Sequence, residues 1–167
     1  MAKKDRTRVS TYKLLALILV LEILGAAITG IIIESNAMWY NTLATPITAP
    51  TWFLGGVWIV MYLLMAVALI SVYQNKGRNN LNYIYIGFTL AAIIPVFKEF
   101  LFWQPHYLVT STVLGALTWL IVLGLTMDFW HISRKASVLM LPVLLWMLIL
   151  LIVDLSILAY NGILLAI

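Results

Sequence analysis

Five nearly uncharged apolar runs succeed one another along the chain, each of about 20 residues, the length a helix needs to cross the hydrocarbon core of a bilayer. They cover roughly Leu14–Ile33, Trp52–Val72, Leu81–Trp103, Tyr107–Met127 and Ser137–Tyr160. Of 167 residues, 64% are hydrophobic and 10% are charged, with a mean hydropathy of +1.06. A soluble domain is nearer to about 45–50% apolar and about 25% charged. A chain of this size cannot hide so much apolar surface from water, so its solvent is lipid. The expected fold is an all-α membrane protein: a five-transmembrane-helix bundle, with residues 1–167 forming one integral membrane domain. Soluble enzymes, secreted disulfide modules and nucleic-acid binders are excluded.

Cysteine is absent, which removes disulfide frameworks, thiolate metal sites, c-type haem attachment and cysteine nucleophiles. His106 and His131 stand at joints between spans, where ordinary solvation is the plain reading and ligation the sharper one. No HExxH-like spacing joins them to a carboxylate, and no metal is expected. The net charge of +4 is a topology signal. Lys3, Lys4, Arg6, Arg8 and Lys13 precede or enter the first span, Lys76 and Arg78 separate the second from the third, and Arg134 and Lys135 separate the fourth from the fifth. Basic residues collect on the cytoplasmic side. The N-terminus is therefore expected in the cytoplasm and the C-terminus outside, in a bacterial cytoplasmic membrane. The first run is a full span without a small-residue cleavage site at its end, which reads as a retained helix rather than a signal peptide. No internal repeat relates the spans, so the inverted-repeat design of many transporters is not visible.

The richest stretch is the long joint Glu34–Thr51 and its entry into the second span. Pro46 and Pro50 stiffen it and bias Thr45 and Ala49 toward extended backbone. Trp39 within it and Trp52 just after it serve either as an interfacial aromatic belt or as ligand contacts. Trp58 lies about two turns inside the span. With Tyr62 and Met65 it shares one helix face, which is either plain packing or the wall of an aromatic cavity. The fifth span offers Pro142, Trp146, Ile149, Val153 and Ile157 at spacings of three and four. Its Asp154 lies away from the span ends, where an ionisable group costs about 2.5–3.5 kcal/mol on insertion scales. Lys98 in the third span lies at similar depth, so the two are expected to form an intramembrane ion pair, with a polar ligand contact or proton relay as alternatives. Glu99 projects about 100° from Lys98 around the helix and need not share that partner. Glu22, in the first span, has no basic residue at its depth. Pro95 should kink the third span unless neighbours satisfy the freed carbonyl, whereas Pro142 falls in the first turns of the fifth, where it is tolerated. Ala26 with Gly30 and Ser111 with Gly115 are small-xxx-small pairs that permit close helix approach, within one chain or between two.

These residues resemble the tryptophan-rich sensory protein (translocator protein, TspO) family in two blocks. The first is Trp39-Tyr40, Leu43, Pro46, Pro50, Trp52, Val57-Trp58, Met61-Tyr62 and Met65-Ala66-x-Ala68; the second is Ala136, Leu139, Pro142-x-Leu144-x-Trp146, Val153-Asp154, Ile157 and Asn161. Five spans, a long first joint and a short third one agree in layout. The sequence departs from the family where its loop lysine is Thr45, where its second proline is Thr51, and in the third span, where Ala91, Pro95 and Lys98 replace glutamine, asparagine and tryptophan. Asp154 replaces an asparagine.

The resemblance implies a five-helix bundle, often a homodimer, with a pocket under the first joint that takes porphyrins and other tetrapyrroles, and in some members sterols. Ligand contacts are then expected from Trp39, Trp52, Trp58, Tyr62, Met65, Pro142, Trp146 and Asp154, with porphyrin or another planar hydrophobic molecule as ligand, the bilayer as environment, and no required cofactor. A flat macrocycle suits aromatic faces in an apolar cleft. The function expected is tetrapyrrole binding by a membrane sensor, regulator or translocator. Light-dependent porphyrin degradation is an alternative, known for some bacterial members, with Trp58 and Trp146 matching the tryptophans involved. A scaffold whose aromatic residues only pack is the third reading.

Overall fold

The computed structural model describes residues 30–45, 51–75 and 82–163, with residues 20, 23, 24 and 27 before them. Most of the first apolar run, including Glu22 and Ala26, lies outside the described residues, as do Pro46 and Pro50. Residues 30–35 are helical. They lead to a single turn, α1 (Ala37–Tyr40), and then to four long helices: α2 (Thr51–Asn75), α3 (Asn82–Trp103), α4 (Leu108–Ile132) and α5 (Arg134–Tyr160). Each of the four is long and apolar enough to cross a membrane. α2 and α4 are apolar all round rather than along one stripe, as helices surrounded by lipid and by each other should be. Ile59 and Leu63 of α2, Ile93 of α3, Leu120 of α4 and Ile152 of α5 are about half exposed, which gives the bundle an apolar outer skin.

Two boundaries differ from the sequence reading. The stretch Asp128–Ala136, expected as a loop, is almost wholly helical: α4 continues to Ile132, α5 begins at Arg134, and only Ser133 is extended between them. Hydropathy marks where lipid ends, and helices of charged, helix-forming residues run on beyond that point. The Ser133 hydroxyl accepts from the Ala136 N–H, and the buried Ser137 hydroxyl donates to the Thr126 carbonyl at 2.8 Å, so the hairpin closes tightly. Pro142 consequently lies more than two turns inside α5 and not in its first turns; it is exposed on the outer surface. α3 runs through Pro95, which is buried.

α4 packs along α3 on one side and α5 on the other; α5 also packs along α2, while α2 meets α4 only lightly. α2 and α3 do not pack against each other. A tight core fills one end of the bundle, where Met65, Phe88, Phe129 and Met140 of the four helices are fully buried. At the other end, Phe102, Trp103, Leu108, Ile157 and Leu158 form a second cluster that receives Trp39 and Tyr40. The third joint turns at His106, which has φ 60°, a conformation rare for a residue with a side chain but several-fold enriched in histidine.

Candidate functional site

Because α2 and α3 are held apart, a cleft of about 190 Å³ opens between them with α5 as its third wall. From α2 come Leu54, Gly55, Trp58 and Tyr62; from α3, Pro95, Lys98, Glu99, Phe102 and Trp103; from α5, Leu150, Val153, Asp154 and Ile157. Gly30 and Ile33 of the first span and Tyr40 of α1 complete the rim. The Trp58 and Tyr62 rings are stacked, centroids 5.3 Å apart and 27° between planes. They give the α2 wall a broad aromatic face. Behind Trp58 a second cavity of about 20 Å³ touches Lys98, Gly115, Thr118 and Asp154, large enough for one water molecule.

The polar part of the cleft is one linked cluster. Lys98 Nζ lies 2.9 Å from Asp154 Oδ2 on α5 and 3.1 Å from Glu99 Oε1 on its own helix. The indole N–H of Trp103 donates to Glu99 Oε2 at 3.1 Å. Glu99, which the sequence reading set apart from this partnership, therefore shares the ammonium: the reach of both side chains overcomes the angle between their helix positions. Gly115 makes room for the crossing. A Cβ there would stand 3.4 Å from Lys98 Cε and 3.5 Å from Asp154 Oδ2. One turn earlier, the buried Ser111 hydroxyl donates to the Lys98 carbonyl at 3.2 Å. The Ser111–Gly115 stripe thus joins α4 to α3 within one chain. The negative field extends to the rim, where burial pushes the Tyr40 phenol above its usual range, with Asp154 and Glu99 adding to the rise.

α1 covers one end of this cleft. Trp39 stacks on His106 with centroids 3.7 Å apart and 18° between planes, and meets Phe102 and Trp103 edge-on. Tyr40 packs on Trp103 at 4.9 Å. The chain beyond α1 is tied down by Asn161, whose side-chain carbonyl accepts from the Ala44 N–H and whose amide donates to the Ala44 carbonyl, both at 3.1 Å.

Of the residues singled out from sequence, the fold brings Trp58, Tyr62, Lys98 and Asp154 together on the cleft wall. Trp39 reaches the aromatic cluster beside it. Met65 is fully buried in the core at the other end, and Trp52 is 77% exposed with its ring edge-on to Phe53. Pro142 faces outward. Trp146 stands edge-on to Phe53 and is not among the residues lining this cleft; its buried indole N–H has no hydrogen-bond partner among the described residues. Sequence reasoning considered Glu99 and set it apart, and it passed over Gly55, Phe102, Trp103 and the clamp at Asn161. Trp103 at the end of a span carried an aromatic signal, whereas nothing marked Gly55 as a wall residue. Among the described residues no group of histidine and carboxylate side chains is arranged to hold a metal ion.

The model of the TspO/MBR family matches residues 14–160 of the chain. A tryptophan-rich protein TspO from Archaeoglobus fulgidus is 28% identical over 137 residues, which covers 81% of this chain and 88% of that protein.

Proposed function

The chain belongs to the TspO/MBR family, and on that premise we propose that it binds a tetrapyrrole in the cleft between α2, α3 and α5 and acts as a sensor, regulator or translocator of that ligand. It is an integral membrane protein by its four long apolar helices and its family. As proposed, the bundle has five spans, its N-terminus cytoplasmic and its C-terminus outside, because nine of the ten basic residues then share one side.

The observation that carries the proposal is the stacked Trp58–Tyr62 face on one wall of an apolar cleft. A flat macrocycle gains dispersion and offset stacking on such a face. The enclosed volume of about 190 Å³ is below the roughly 300–1,000 Å³ of sites that swallow a whole drug-sized ligand. A tetrapyrrole therefore enters edge-first and leaves part of its rim outside. Trp58, Tyr62 and Asp154 are its contacts in this assignment; Trp39 and Tyr40 hold the covering segment, and Met65 supports the α2 wall from the core.

Protoporphyrin titrated into the purified protein in lipid nanodiscs should quench tryptophan fluorescence to saturation. Trp58→Leu should weaken that binding by about tenfold, the loss of about 1.4 kcal/mol of stacking and contact. Absence of saturable quenching in the parent protein rejects the tetrapyrrole, and unchanged affinity in Trp58→Leu rejects this cleft.

A further inference from the structure

We propose that the cleft selects flat aromatic ligands by charge, favouring those whose entering edge carries a positive charge over those entering with a carboxylate. This specificity rests on the reading of the α2–α3–α5 cleft as the ligand site. Its basis is the count of charges on the wall: one ammonium, Lys98, faces two carboxylates, Glu99 and Asp154, and no other charged side chain lines the cleft among the described residues. Lys98 is the single lysine or arginine between Arg78 and Arg134 in the sequence, and Arg134 and Lys135 open α5 at the end away from Asp154. Both of its contacts are already made, at 2.9 and 3.1 Å. A carboxylate pushed into the cleft finds no free cation to meet it and is repelled by the excess negative charge in a low-dielectric setting.

A cation finds the opposite. Glu99 is the more accessible of the two acids, with 22% of its side chain exposed against 9% for Asp154, and it faces the cleft. Trp103 donates to it, and the same cleft is lined by Tyr40, Trp58, Tyr62 and Phe102, aromatic rings whose faces attract positive charge. Acids and rings together make a site for an aromatic ammonium or amidinium, or for the uncharged edge of a macrocycle whose carboxylate edge stays outside. The shallow cleft and its charge thus demand the same orientation of a porphyrin: propionates outward.

Three flat probes of one ring system separate the cases: aminoacridine, cationic at neutral pH, neutral acridine, and acridine carboxylate. Binding is measured by quenching in nanodiscs of zwitterionic lipid, so that the bilayer itself does not concentrate the cation, with protoporphyrin measured in parallel. The expected order is cation, then neutral ring, then anion, with about tenfold between the first and the last, corresponding to a charge contact at an intermediate effective dielectric. Glu99→Gln preserves the Lys98–Asp154 contact and should narrow that gap while tightening protoporphyrin. An anion bound as tightly as the cation, no binding by any of the three rings, or an unchanged gap in a folded Glu99→Gln protein overturns the proposal. Should Glu99→Gln fail to fold, the ranking in the parent protein decides alone. Cation preference without protoporphyrin binding supports the charge selection and rejects the tetrapyrrole; protoporphyrin binding with the order reversed does the converse.

Discussion

Lys98 Nζ of α3 and Asp154 Oδ2 of α5 meet at 2.9 Å across the α4 backbone at Gly115. Each end of that pair is nine-tenths buried, so removing a partner leaves buried charge with less compensation. Because Lys98 also holds Glu99, the two removals are unequal. Lys98→Met leaves two unneutralised carboxylates and should cost about 3–5 kcal/mol. Asp154→Asn leaves the ammonium still paired with Glu99 and should cost clearly less. The double variant should be more stable than the sum of its parts. Thermal unfolding in detergent measures all three; strict additivity would show that the pair is not coupled.

Gly115 should accept one carbon and no more. The 3.4 and 3.5 Å distances from a Cβ to Lys98 and Asp154 are ordinary contacts, and alanine is the better helix former by about 0.8–1 kcal/mol, so Gly115→Ala should unfold at the parent temperature or slightly above. Gly115→Val pushes branched methyl groups into the ion pair and should cost about 1–3 kcal/mol. A valine variant as stable as the alanine one would place the pair elsewhere.

Gly55 gives a way to fill the cleft without disturbing the bundle. It lines the cleft, and a Cβ there meets nothing within 4 Å among the described residues. Gly55→Leu should leave thermal stability unchanged or raised, since leucine is the better helix former, and should weaken aromatic ligand binding by about tenfold or more through steric exclusion, a loss of about 1.4 kcal/mol or more. Parent affinity in this variant, measured by the quenching titration, would put the ligand elsewhere.

Asn161 should govern the mobility of the covering segment. Its side chain pairs with both the N–H and the carbonyl of Ala44 and also donates to the Ile157 carbonyl at 2.8 Å. Asn161→Leu removes these bonds, each worth about 0.5–1.5 kcal/mol net. Hydrogen exchange at Trp39–Thr45 should then speed up while α4 stays protected. Trp39→Ala, which removes the stack on His106, should act on the same segment; if exchange there is unchanged in both, α1 is held by other contacts.

The helices themselves were readable because lipid imposes a length and an apolar composition on them. Their ends were less so: residues 128–136 include the charged Asp128, Arg134 and Lys135 and yet are helical but for Ser133, since polarity marks the membrane surface and not the end of hydrogen bonding. Depth alone suggested matching Lys98 with Asp154, as both are ionisable and at similar distances from their span ends. Glu99 was missed by treating side chains as spokes fixed at helix angles. The face chosen on α5 was right toward its C-terminal end and wrong toward its start. Its members Pro142 and Ile149 are exposed, whereas its members Val153 and Ile157 line the cleft with Asp154 and with Leu150, which was not chosen. With helices apolar on nearly every side, periodicity has little contrast from which to choose the inner face. The cleft itself was not legible, because it arises from the missing contact between α2 and α3, and pairings between distant helices leave no local trace.

That same uniform greasiness gives the buried charges another task. Smooth apolar rods in lipid gain almost as much at one vertical offset as at the next, and a slip by one turn moves a helix about 5.4 Å along its axis. Such a slip would tear the Lys98 ammonium from Asp154 while costing the surrounding leucines little. The lysine therefore works as an alignment pin between α3 and α5 beside α4, and together with the Ser111–Lys98 hydrogen bond it holds the height of α3 against its neighbours.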